Sequence, residues 1–196
     1  AASPRRNPWA QMLDGLTSVR RNRLVFGAIS LDLFAVLLGG ATAMLPIYAR
    51  DILRIGADGL GHLRAAPAVG AVVVAVWFAF RPLRHEVGAK MLASVMGFGA
   101  ATALFGLSAP LLLPVFGDAA VGGDAAPAVL LALGALFVVG ATDMVSVYVR
   151  QSLIQLHTPD DMRGRVGAVS TLFVSGSNEL GEARSGFLAA AVGPVV

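Results

Sequence analysis

Five polar side chains stand where an oil-facing sequence should exclude them. Asp32, Asp143, Asn178, Glu179 and Glu182 each interrupt a long apolar run. A charge at bilayer depth is costly, so such residues face a protein interior or a watery cavity and mark the path of an ion or substrate. Glu179 and Glu182 are spaced i,i+3, and Asn178 and Glu182 i,i+4, so on a helix they share one face. Asp32 follows Leu24 by roughly 12 Å of helix, and Asp143 precedes Arg150 by roughly 10 Å. Two antiparallel runs thereby place an acid at similar depth, as an inverted repeat does. Carboxylates in a low-dielectric site exchange protons near neutral pH, so the chemistry implied is a proton relay or a cation-recognition cavity. The competing reading is structural: polar groups that join helices, with Arg64 or Arg184 as charge partners. Arg184 stands just past Glu182 and can simply neutralise it.

Other chemistry finds little support. The chain has no cysteine, which excludes disulfides and thiolate metal sites. His62, His85 and His157 are isolated and lack metal-ligand spacing, so no metal is expected. Gly97-Phe98-Gly99 lacks the third glycine of a phosphate-cradling loop. No serine has a triad-like context; neither catalysis nor a cofactor is expected. Tyr48, Tyr148, Trp9 and Trp77 read as membrane-interface anchors. The isoelectric point near 10.2 could suggest nucleic acid. Here the basic residues flank apolar runs and no aromatic-interleaved groove accompanies them, so nucleic acid is not an expected partner.

The elements that must position these acids follow from composition. Of 196 residues, 56% are hydrophobic and 14% charged, and the mean hydropathy is +0.74. Soluble domains carry about a quarter charged residues. The fold class expected is an all-α membrane protein, with the lipid bilayer as its solvent. Residues 1–23 are arginine-rich, and Trp9, Met12, Leu13, Leu16 and Val19 repeat with helical period, which predicts an amphipathic linker helix at the membrane surface. Residues 24–196 form the helical bundle. Its spans are expected at about 24–48, 61–80, 91–113, 127–149 and 165–192, each near the roughly 20 residues that cross hydrocarbon. Gly39, Gly40 and Pro46 should loosen the outer half of the first. Gly97, Gly99, Ala101 and Ala103 give the third a small-residue spacing suited to close packing. The last opens with Thr158 as cap, Pro159 in the first turn, and Asp161 and Arg165 as i,i+4 partners. Gly193-Pro194 would start a sixth span, and the chain reads as a piece of a longer protein.

Eleven of the fifteen Lys and Arg residues lie before the first span, in the 81–90 loop, or in the 150–165 segment. The positive-inside rule places these three regions, and the linker, in the cytoplasm.

Particular motifs then carry a resemblance. Leu31-Asp32-Leu33-Phe34, Gly39-Gly40-Ala41-Thr42-Ala43, Leu45-Pro46-Ile47, Leu63-Arg64-Ala65-Ala66-Pro67-Ala68-Val69-Gly70, Arg163-Gly164-Arg165-Val166 and Ser177-Asn178-Glu179-Leu180-Gly181-Glu182 stand in order along nearly the whole chain. Together they resemble the C-terminal half of the enterobactin-exporter-like branch of the major facilitator superfamily. The resemblance implies a twelve-helix fold of two six-helix bundles. The present chain would supply the second bundle, five spans complete and the sixth barely begun, and the N-terminal six-helix half would be its partner. It also implies proton-driven export of siderophores, drugs or similar small molecules from the bacterial inner membrane, with Asp32 and Asp143 lining the pathway. The 81–90 loop corresponds to the superfamily's conformational-lock motif, of which Gly88 and Lys90 survive. Asp161, Arg163 and Arg165 would serve with them as cytoplasmic gate residues. Uptake or lipid flipping by the same fold, and a non-transporting membrane scaffold or sensor, are the alternatives.

Overall fold

The computed structural model describes residues 8–39, 41–81, 87–123 and 126–192, and the side chains of these except at 8–11, 34–39, 41–43, 87, 161 and 188–192. The readings made for Arg5, Arg6, the Trp9 ring, His85, Glu86 and the sixth span lie outside the described residues. Every described element is helical: α1 (Pro8–Arg21), α2 (Arg23–Gly39), α3 (Ala41–Ile47), α4 (Ala57–Phe80), α5 (Val87–Phe116), α6 (Pro127–His157) and α7 (Asp160–Val192). A π-helical turn, Tyr48–Ile52, follows α3, and a 3-10 turn, Gly117–Ala120, follows α5.

Three of these helices are long and apolar enough to cross a membrane: Ala57–Phe80, Gly88–Ala120 and Pro127–His157. The expected 24–48 run is described as helix on both sides of Gly40, Arg23–Gly39 and Ala41–Ile47. The run expected to close before Arg150 continues to His157, because the Arg150 side chain turns into the protein, not toward headgroups. The final helix has 33 residues, about 50 Å at 1.5 Å per residue. Its serines, Asn178 and glutamates make it too polar to stand among the three apolar ones.

The basic ends of the helices gather at one end of the fold. Asn22 accepts hydrogen bonds from the N–H groups of Leu24 (3.1 Å) and Val25 (3.3 Å) and so caps α2. Its Nδ2 donates to the His157 carbonyl at 3.3 Å, tying that corner to the end of α6. The amphipathic stripe of α1 is used partly within the protein. Leu16 and Val19 join Val25, Ile29, Ile154, Val166 and Val169 in a core cluster, while Met12 and Leu13 stay exposed. Gly15 allows the approach: a Cβ there would lie 3.0 Å from the Arg165 carbonyl oxygen and from the Val169 side chain.

α6 is the hub, packed against α4 on one side and α5 on the other. Lipid removes the hydrophobic drive between helices, so close approach and dispersion must hold them together. At Gly140 a Cβ would collide with the carbonyl oxygen of Pro67, and at Gly70 with that of Phe137. Each glycine therefore sits under the carbonyl three residues before the other. Backbones touch. On α5, Gly97 lies against Thr142 and Ala101 is buried, whereas Gly99 and Ala103 face outward. Half of the expected small-residue stripe is thus a packing surface.

Tyr48 corrects the interface-anchor reading. It is buried, with its ring 4.6 Å from that of Phe105. Its hydroxyl lies 3.1 Å from the Gly106 carbonyl and 2.9 Å from Ser108 Oγ, and it accepts from the Ala109 N–H at 3.3 Å. Pro110 explains the need. It has no N–H, so the Gly106 carbonyl loses its helical donor and must find another in a medium without water. Tyr48→Phe is expected to destabilise the bundle by about 1–3 kcal/mol, read as a lower thermal midpoint in detergent; an unchanged midpoint would contradict the assignment. Tyr148 stacks on Phe78 at 4.6 Å. Trp77 keeps the expected exposed posture, with Arg81 over its ring at 5.7 Å.

Candidate functional site

The polar centre of the described residues lies between α2 and α6. Asp143, Ser146 and Arg150 follow i, i+3, i+7 spacing and so share one face of α6. Asp32 meets that face from α2. Its Oδ2 forms an ion pair with Nη1 of Arg150, and its Oδ1 accepts a hydrogen bond from Ser146 Oγ at 2.8 Å. Asp32 is 3% exposed and Arg150 4%, so neither charge is answered by solvent. Burying an ion is tolerated chiefly with a partner; each of these ions has the other, and Asp32 also accepts from Ser146. The seam is sealed on the basic side by Ala28, Met91 and Val149.

Asp143 is half-buried, and it shares a small cavity with Asp32. The cavity measures about 10 Å³ and is lined also by Ser146 and Thr142 of α6 and by Ser94 and Phe98 of α5. Two of the three hydroxyls that reach it donate backward to their own helices, Ser94 to the Met91 carbonyl (2.8 Å) and Thr142 to that of Val138 (2.7 Å), and the third, Ser146, donates to Asp32. What faces the cavity is thus mostly acceptor oxygen.

The other sequence candidates are placed apart from this centre. Asn178, Glu179 and Glu182 lie together on α7, as their spacing required, but on its exposed side; Ser177 and Gly181 occupy the buried one. Arg184 is exposed and engaged in an interaction of its own. Arg64 is exposed and has no acidic partner among the described residues, so neither arginine pairs Asp32. Gly88 is exposed and Lys90 half-buried near the start of α5. Arg163 pairs with Asp160 at 2.8 Å and donates from Nε to the Gln155 carbonyl at 3.1 Å, which satisfies an end carbonyl of α6. Arg165 reaches Asp14 of α1 at 3.6 Å. Its expected pairing with Asp161 lies outside the described side chains.

Arg150 is the residue that sequence reading missed. It stands at the apparent end of an apolar run, where a basic residue normally meets headgroups. The available signal was its register: it falls on the same helical face as Asp143, two turns on. Among the described residues no group of acids, histidines or cysteines has the arrangement of a metal site.

Three apolar helices of spanning length, with a charged pair enclosed beside them, define a multi-pass membrane protein. Comparison with known proteins adds the kinship. Over 194 residues, 98% of its length, the chain is 27% identical to proteins named Enterobactin exporter EntS from Escherichia coli O1:K1 / APEC and from Escherichia coli O127:H6 (strain E2348/69 / EPEC). It spans 42% of the length of those relatives. No family model matches the chain, and no solved structure does. The chain is homologous to these enterobactin exporters of the major facilitator superfamily.

Proposed function

We propose that this chain is the second helical half of a secondary transporter that exports a small amphipathic molecule, of the siderophore or drug kind, in exchange for protons. The complete protein would lie in a bacterial inner membrane with α1 on the cytoplasmic side, where the basic ends of the helices favour it. The observation that carries the reading is the buried Asp32–Arg150 pair, facing a second carboxylate across a shared cavity in a chain homologous to exporters. Charge enclosed among apolar helices is retained where an ion or substrate must pass. Asn178, Glu179 and Glu182, exposed on α7, would line the route on the side that an opposing bundle closes. The substrate is moved without covalent change.

The test is transport by the intact protein in lipid vesicles, with enterobactin as probe and an imposed pH gradient. Accumulation against the enterobactin gradient is expected, in the outward sense relative to the basic ends. Asp143→Asn, Glu179→Gln and Glu182→Gln should each reduce it to background while membrane insertion is retained. Full transport in all three variants would remove the residue assignment. Absence of proton-driven flux in the unmodified protein, with partner binding in its place, would favour a scaffold.

A further inference from the structure

We infer that the corner between α1 and α2 binds an anionic phospholipid, with Arg21 and Arg23 holding its phosphate and the exposed face of α2 receiving an acyl chain. An open hollow of about 430 Å³ lies at this corner, lined by Ser18, Arg21, Asn22, Arg23 and Leu24. That volume falls within the range of about 300–1,000 Å³ in which small-molecule sites lie. Its charge has one sign. Two guanidinium groups line it, Arg20 adjoins it in sequence, and no lining residue is acidic. The site rests on a multi-pass membrane protein alone and goes beyond the export reading.

These arginines are uncommitted. Arg20, Arg21 and Arg23 are exposed, and no guanidinium among them has a partner in the described residues. The carboxylates described at this end are already taken, Asp14 by Arg165 at 3.6 Å and Asp160 by Arg163 at 2.8 Å. A phosphate between Arg21 and Arg23 relieves their mutual repulsion and accepts several charge-assisted N–H bonds. Asn22 has other tasks. Its Oδ1 caps the N–H groups of Leu24 and Val25, and its Nδ2 holds the His157 carbonyl. Those first amides of α2 are thus spent, and the guanidinium groups carry the site. Ser18 adds a half-buried hydroxyl that can donate.

What lies beyond the hollow selects a lipid over a free anion. Leu24, Gly27 and Leu31 follow i, i+3, i+7 spacing along α2, with Phe26 beside them. Leu24 is 59% exposed, Phe26 49% and Leu31 38%, and a Cβ at Gly27 would meet nothing within 4 Å. Asp32, the one charge between Leu24 and Gly39, is turned inward to Arg150. An apolar lane therefore leads from the arginines along the helix, as an acyl chain beneath its headgroup requires. Basic residues clustered at the end of a membrane helix recognise anionic lipid in this way. Free phosphate would use the arginines and leave the lane empty.

The test titrates the intact protein in neutral detergent with dioctanoyl phosphatidylglycerol and counts bound lipid by native mass spectrometry. One saturable site is expected, about tenfold tighter than for dioctanoyl phosphatidylcholine. Arg21→Gln and Arg23→Gln should each weaken it about fivefold, the effect of one basic side chain near an anionic surface. Arg20→Gln removes the same charge without touching the hollow and should change binding less than about twofold. All three side chains are exposed, so the variants keep the fold. Equal affinity for phosphatidylcholine would overturn the site, as would the absence of a saturable component. Displacement by inorganic phosphate at equal concentration would do so too, because it marks a free-anion site. Arg20→Gln matching Arg21→Gln would replace the site with diffuse surface charge. The readout needs no solute flux, so its failure is distinct from failure of the export reading.

Discussion

Asp32→Leu in the intact protein is expected to lose about 3–5 kcal/mol of stability, because Arg150 is left as a charge sealed away from water without its partner. Arg150→Met should cost a similar amount for the reciprocal reason. The double variant, Asp32→Leu with Arg150→Met, should regain most of the loss, since an apolar pair of similar volume fits a seam already walled by Ala28, Met91 and Val149. The coupling between the two single effects, read from thermal midpoints in detergent as a double-mutant cycle, would then be of the same order as either one. Additive losses would mean that the two side chains do not depend on each other. The same double variant should transport nothing under a pH gradient. On the proposed reading stability and function part company there, because what holds the helices together is replaceable and the ionisable groups of the pathway are not.

The second large effect is expected at the crossing of α4 and α6. Gly140→Val places side-chain carbon where the Pro67 carbonyl already stands, and Gly70→Val does the same at Phe137. The obstructing atom is backbone in both cases, so no rotamer change relieves it. The helices must separate, and dispersion along the whole contact weakens with the gap. A loss of about 3 kcal/mol or more is expected, at the upper end for overpacked cores, seen as failure to recover a monodisperse protein. Gly134→Ala is the control. Nothing lies within 4 Å of a Cβ at Gly134, and alanine should there favour the helix by up to about 1 kcal/mol. Equal behaviour of Gly140→Val and Gly134→Ala would remove the close crossing.

Much of this architecture was legible in the residues. Apolar runs announced helices α4, α5 and α6 because length and hydropathy alone decide whether a segment can cross oil. The motifs from Asp32 to Glu182 pointed to the exporters that the full-length comparison then matched. The register of Asn178, Glu179 and Glu182 followed from periodicity, and the structure keeps them on one face.

Contacts were another matter. Tyr48 read as an anchor because aromatic residues near span ends usually are; its true task depends on Pro110, far away in sequence, having left a carbonyl bare. Arg150 read as the end of a span because periodicity within α6 cannot say which helix lies opposite. Gly70 and Gly140 looked like two glycines among many.

What the chain's residues determined unaided is therefore its solvent, its apolar helices and the presence of costly acids among apolar runs. Each is a property of a segment considered alone. Which acid meets which cation, and which glycines let two backbones touch, was decided only when helices distant in sequence came together. A charge or a missing Cβ acquires its meaning from the atoms across the interface, and those belong to another part of the chain.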